Sequence, residues 1–518
     1  MRKISICIFL ILVLLGVRNL FANYNLLMTR ANVEEGELQS YCGYSLVYPI
    51  LSNWENYSWI EKRNYQAFFQ NMLAAYRFNS FVSDDFLFYI SPEFINRVED
   101  VKAISKQLLR FKKKLRENGW EKEVKGGRSP FSFIIYVIPI NLSSYIIPMD
   151  GKLLSDSYEG MPVVIINGNK LNELVNEPCM TAHAYAHSFV KGTRGGAGYW
   201  LEESVSAWIE TLMGQKCDIQ DTFYEYRILH PEIQLGVYDS RIAIADAKFI
   251  SLLDGKKEQI IRRFILSYSG ETDVIKALSE FLIQETERDI SDYYEEYAIS
   301  NFYETLSRNK LADKGVNYFP YDIKLTLNGL SSYYASFEGN NIVGGLRFTF
   351  DTNDKYNAWI FSGVYDSSIS FYRIENVLER RQDYVFPISA GKKLYLLLIN
   401  NRRENANISV DVDEIVGYPC RLDVFKLNAI DQGVELTWLT SKEIDTQGWI
   451  VYKKEENEKY YRKLNNYIIP AAGNSNDIIR YIYVDKNISK KKRYDYYLEL
   501  ITKNGFRVSF PPISVKLE

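Results

Sequence analysis

The stretch TAHAYAHSF, residues 181–189, decides the reading of this chain. It carries His183 and His187, two of the three histidines in 518 residues. On an α-helix, residues four apart share one face. Two imidazoles so placed can be offered to one zinc ion. A centre of the H-E-x-x-H kind also needs a carboxylate directly after the first histidine, as a base toward metal-bound water. Here that position is Ala184.

Working outward, MPVVIING (161–168) reads as a strand and EPCMTAHAYAHSFV (177–190) as the helix after it. TRGGAG breaks that helix, and YWLEESVSAWIETLMG (199–214) reads as a second one, stopped by Gly214. A zinc site with an open position takes three protein ligands. Glu203 lies on the second helix, 16 residues after His187, and the glycine-rich turn between lets the two helices pack back on each other.

These residues resemble the gluzincins, the HExxH…E metallopeptidases. The order PVVIIN, then TAHAYAHSF, then YWLEESVSAWIE is similar to a secreted bacterial gluzincin-like family that often carries a β-sandwich and a fibronectin type III-like domain. HPEIQLGVYDSRIAIADAKFISLL and VELTWLTSKEIDTQGWIVYKKE add to the likeness, which spans most of residues 80–518. The resemblance implies His183, His187 and Glu203 as zinc ligands and an extended polypeptide as substrate or ligand. It places the missing catalytic Glu on Ala184. Loss of a general base costs on the order of 10²–10⁴ in rate. The family's histidine-orienting acid would fall on Ala207, with only Ser206 nearby. Glu202 points elsewhere on the helix, whereas Glu210, two turns on, is placed to approach a histidine from behind; either is a conceivable replacement base. His230, before Pro231, is a weak candidate for an oxyanion stabiliser, or a loop histidine capping backbone. The family likeness also offers strand 161–167 as an edge for peptide pairing, against the alternative of a plain core strand.

The N-terminus, MRKISICIFLILVLLGVRNLFA, has a basic start, an apolar run from Ile4 to Val17 and a small residue at Ala22. It reads as a secretory signal peptide, residues 1–22. The apolar run falls short of the about 20 residues a span needs. No later stretch is apolar enough to cross a membrane, so the expected location is secreted, periplasmic or outer-surface. Its removal takes away Arg2, Lys3 and Arg18 and no acid, leaving a net charge of about −6. No basic cluster dominates, which argues against nucleic acid; KNISKKKR (486–493) reads as a solvated hairpin turn. Cys42, Cys179, Cys217 and Cys420 remain, and three pairings are open.

The chain is too long for one core. Mixed helices and strands run to about residue 315, and alternating segments separated by turns follow. The expected architecture is multidomain: an α+β, zincin-like domain over 23–315, a β-sandwich or jelly-roll over 316–418, and a fibronectin type III-like sandwich over 419–518. The expected function is a secreted zinc-metallopeptidase-like protein, impaired at Ala184, that keeps zinc and binds peptide. Two other readings stand beside it. One is an active zinc endopeptidase with a substitute base or an artificially inactivated site. The other is a non-enzymatic surface or adhesion protein that binds cell surface or glycan through its β-domains.

Overall fold

The computed structural model describes residues 44–517 except 84–85, 121–132, 141–145, 192–197, 215–217, 258, 269–272, 309–314, 317–318, 339–343, 351–353, 355, 363–369, 375–381, 389–392, 417–418, 457, 459–460, 490–491, 506 and 511. The signal-like segment 1–22, Cys42 and Cys217 lie outside the described residues, as does the 192–197 part of the glycine-rich turn. The chain forms two compact units. One runs to Arg227 and resumes over Gly236–Tyr293; the other comprises Ile228–Leu235 and Tyr294–Glu518.

In the first unit the order is α1 (Tyr44–Ser52), α2 (Trp59–Ala74), β1 (Asn79–Ser83), β2 (Phe86–Ile90), α3 (Val98–Glu117), β3 (Phe133–Ile138), β4 (Ile146–Asp150), β5 (Pro162–Asn167), α4 (Leu171–Asn176), α5 (Pro178–Lys191) and α6 (Tyr199–Leu212). Helices α7 (Asp218–Leu229), α8 (Ser240–Ala245), α9 (Ala247–Lys256), α10 (Ile260–Ser267) and α11 (Val274–Thr286) follow, α7 passing into the second unit at Ile228; α12 (Ile290–Ser307) starts in the first unit and belongs to the second from Tyr294 on. Five strands make one sheet in the order β1-β2-β3-β5-β4. Strands β2, β3 and β5 are parallel, and the two edges are antiparallel. All six β5 residues are buried, as a strand inside a covered sheet requires. Of the two roles open to 161–167, substrate-pairing edge and plain core strand, the structure shows the second and corrects the first: β5 is paired on both sides, and β4 is the edge. On α3, Val101, Ile104, Leu108, Phe111 and Leu115 recur at helical spacing and are buried.

Residues 238–254 read as one helix in sequence but form two, α8 and α9, separated at Asp246. Asp246 is fully buried, and its carboxylate is used by side chains of other helices.

The second unit is β-rich: β6 (Gly315–Val316), β7 (Tyr321–Leu327), β8 (Ser331–Glu338), β9 (Gly344–Phe350), β10 (Asn357–Ser362), β11 (Ser370–Ile374), β12 (Gln382–Ile388), β13 (Lys393–Asn400) and β14 (Ala406–Val416) come first. They are followed by β15 (Cys420–Ile430), β16 (Gly433–Glu443), β17 (Thr446–Glu455), β18 (Arg462–Lys463), β19 (Ile469–Pro470), β20 (Ile479–Asp485), β21 (Arg493–Thr502), β22 (Arg507–Ser509) and β23 (Ile513–Lys516). Sheet β11-β10-β13-β8-β6 faces one half of a long sheet, β18-β17-β21-β22-β12-β9-β14-β7. Sheet β15-β16-β20 faces the other half, over a core that includes Trp438 and Trp449. The two sandwiches are thus continuous through the parallel pairing of β12 with β22. They also exchange side chains there: Val385 packs in the second core and Tyr497 in the first. KNISKKKR is not a hairpin turn, because β20 and β21 belong to different sheets. Among the described residues, no helix is long and apolar enough to cross a membrane.

Inside the second sandwich, Lys453 Nζ lies 2.6 Å from Asp485 Oδ2, with the two side chains 0% and 4% exposed. Tyr496 donates its hydroxyl to the same carboxylate. Breaking such a pair from one side leaves an uncompensated buried charge. Lys453→Met is expected to cost roughly 3–5 kcal/mol in denaturant unfolding. The double change Lys453→Met with Asp485→Leu is expected to recover most of it.

Candidate metal centre

Helix α5 presents two faces. Thr181, Ala184 and Tyr185 face the sheet and α3; His183 and His187 face α6. Tyr185 anchors the first face, with its ring centroid 5.5 Å from that of Phe133 and 6.1 Å from that of Phe86. Helix α6 begins after Gly198, whose φ of +77° a side chain rarely tolerates. Its orientation is fixed by Asp246, which accepts Trp200 Nε1 at 2.9 Å and Arg227 Nε at 3.0 Å. All three of these side chains are buried.

This packing brings three donors together. His183 Nε2 lies 3.1 Å from Glu203 Oε2, His187 Nε2 lies 3.2 Å from His183 Nε2, and His187 Nε2 lies 3.8 Å from Glu203 Oε2. All three residues are fully buried. A triangle with these edges has a circumradius of about 2.0 Å, and zinc binds imidazole nitrogen and carboxylate oxygen at about 2.0–2.2 Å. Glu203 Oε1 has no hydrogen-bond partner among the described residues. Burial pushes the Glu203 carboxyl upward, but the charges and hydrogen bonds of His187 and His183 outweigh it and hold it at about 2. The donor set and its spacing fit a divalent cation.

Glu210 Oε2 sits 3.4 Å from His183 Nδ1, on the side away from Glu203. A carboxylate there favours the proton on Nδ1 and leaves Nε2 free to donate its lone pair. Glu202 turns away to Tyr44, and burial together with Glu202 pushes that phenol well above its usual range. Ser206 is buried, and its hydroxyl has no partner among the described residues. His230 belongs to the second unit, is partly exposed and pairs with Glu232 at 3.2 Å. Cys179 is disulfide-bonded, whereas Cys420 is free and buried.

Sequence reasoning missed the aromatic residues at the centre. The Tyr44 ring lies 4.7 Å from that of His187 and stacks on Tyr199 at 6.0 Å. Tyr48 and Tyr238 pack on the same Tyr199. Tyr44 and Tyr48 are four apart, a helical signal, but nothing local ties them to residues more than a hundred positions away.

No family model matches the chain, and no curated protein matches it. Similarity to solved structures is slight. A Bacteroides uniformis β-glucuronidase 2, covalently bound to cyclophellitol-6-carboxylate aziridine, is 7% identical with a TM-score of 0.15, over 38% of this chain and 26% of that one. Another B. uniformis β-glucuronidase structure gives 7% and 0.14 over the same shares. A putative β-galactosidase from Bacteroides fragilis gives 9% and 0.14, over 40% of this chain and 35% of that one. The chain thus spans about a quarter to a third of the proteins it matches, at scores too low to inform fold or reaction. The resemblance to the gluzincin-like family is corrected accordingly: the structures matched are glycoside hydrolases, and neither a family model nor a curated metallopeptidase matches. A histidine pair and a carboxylate on two packed helices form a short local pattern, which does not require common descent over the whole chain.

Ala184 lines a cavity of about 10 Å³ with Ile104, Phe133, Ile135, Ile146, Val164 and Ile166. A carboxylate placed there meets a largely apolar wall, with the Thr181 side chain beside it and no cation among the lining residues. Ala184→Glu is expected to destabilise the first unit by roughly 3–5 kcal/mol, the cost of an uncompensated buried charge. An unchanged thermal melt contradicts this placement.

Proposed function

We propose that this chain is a secreted zinc-binding protein whose buried centre joins α5 to α6 and does not hydrolyse peptides. One observation carries the reading: two imidazole nitrogens and a carboxylate oxygen converge at 3.1, 3.2 and 3.8 Å in a fully buried setting. Two nitrogen donors and one oxygen suit zinc. His183, His187 and Glu203 would hold the ion, and Glu210 would orient His183. A zinc ion so held supplies Lewis acidity toward a carbonyl oxygen.

Among the described residues, no carboxylate is placed as a base toward an ion at this centre. Ala184 cannot accept a proton, Glu202 is engaged by Tyr44, and Glu210 stands behind His183. The partner class that fits is a polypeptide bound without turnover. The zincin-like description of the first unit rests on this helix pair beneath the sheet. The facing sheets over Trp438 and Trp449 support a type III-like reading of residues 419–518. Secretion is supported by the N-terminal sequence and by the Cys179 disulfide, a bond that persists in oxidising compartments.

The test is elemental analysis of purified residues 23–518, with casein cleavage measured alongside. The expected outcome is one zinc per chain, lost in His183→Ala, with no cleavage at any zinc loading. Glu210→Gln is expected to weaken zinc binding about 10–100-fold, the usual effect of removing an orienting carboxylate. Absence of zinc after incubation with excess metal sinks the proposal. Casein cleavage abolished by His183→Ala would establish the active endopeptidase instead.

A further inference from the structure

Helix α1 packs on the centre and on the edge strand β4. Tyr44, Val47 and Ile50 form its inner stripe, each 2% exposed. Tyr44 covers His187 and bonds Glu202, while Tyr48 completes the aromatic layer over Tyr199 and Tyr238. Each of these contacts is made to residues distant in sequence.

The helix itself is poorly built to stand alone. It has nine residues and carries Pro49 inside. Isolated helices below about 12–15 residues are marginal in water, and an internal proline removes a backbone hydrogen bond. Its helicity therefore depends on docking. The link to α2 is exposed at Ser52, Asn53, Glu55, Asn56 and Ser58, and only Trp54 in it is buried. Beyond it, α2 starts independently: Ser58 and Glu61 form a capping box. Thus α1 can leave without unwinding the next helix.

We propose that α1 is a detachable plug, which closes the His183–His187–Glu203 centre when docked and admits solvent and ligands to it when released. The closed form explains why the ligand set is wholly buried although nothing in its chemistry requires that. Release uncovers the imidazole edge of His187 and the flank of β4 together. The plug rests on the zinc reading only for its second readout below.

The test uses metal-free protein and diethyl pyrocarbonate, which acylates accessible imidazole. The three histidines are separated by mass spectrometry, and the exposed His230 serves as internal standard. In the wild-type chain, His183 and His187 are expected to react at least about tenfold more slowly than His230. In Tyr44→Ala and Val47→Asp, His187 is expected to approach the His230 rate, while Tyr44→Phe, which keeps the ring, stays protected. If a variant loses its circular dichroism, a protease site inserted at 52–58 is cut and the protein treated with reductant, which opens any Cys42–Cys179 bond and severs α1 from the folded chain, and the same ratio is read. Zinc-loaded protein gives the second readout: extraction by 1,10-phenanthroline accelerates about tenfold or more in the same variants. Histidines that react as fast as His230 in the wild type, or that stay protected after α1 is severed and removed, overturn the plug. A wild-type chain that binds no zinc overturns the preceding proposal and leaves the acylation result decisive for this one.

Discussion

Charge buried between two helices is the constraint from which the first unit follows. Helix α6 carries Glu202, Glu203 and Glu210, all buried, and no basic residue. Unpaired carboxylates in such a place are strongly disfavoured. Each has a counterpart from another element: Tyr44 for Glu202, both histidines for Glu203, and His183 again for Glu210. The two imidazoles alone do not offset three carboxylates. A dication at the Nε2–Nε2–Oε2 triangle would offset two of the three negative charges, and the spacing of the donors fits one.

The surroundings serve that geometry. Asp246 breaks the helix in which it lies and clamps Trp200 and Arg227, fixing the axis of α6. The apolar face of α5, with Ala184 at its centre, locks against sheet and α3. The same packing bears on the residue at position 184. A small residue at 184 lets α5 seat closely on Ile135, Val164 and Ile166, and a base there would have to displace that contact. The centre is better placed to hold than to react.

Much of this was legible in sequence because it is local. The histidine spacing, the Glu203 helix and the stop at Gly214 follow from one-turn periodicity and a positive-φ glycine, found at +72°. The strand-rich second half showed in alternation alone. What escaped was long-range pairing. Strand 161–167 has the composition of either an edge or a centre, and only β4, itself unread, decides between them. The break at Asp246 has no glycine or proline to announce it. The union of the two sandwiches depends on two residues of β22 finding β12, which no periodicity encodes. Family likeness failed for a related reason: it was specific at two helices and at the C-terminal module and loose elsewhere, and such short stretches do not define a whole chain.

The most direct test of the account is the zinc K-edge X-ray absorption spectrum of the purified full-length mature protein. The account predicts two imidazole nitrogens and one or two oxygens at about 2.0–2.2 Å, with no sulfur at about 2.3 Å. It also predicts that His187→Ala removes one imidazole shell. A spectrum dominated by sulfur, or one that His183→Ala and His187→Ala leave unchanged, would place the metal elsewhere and contradict the account.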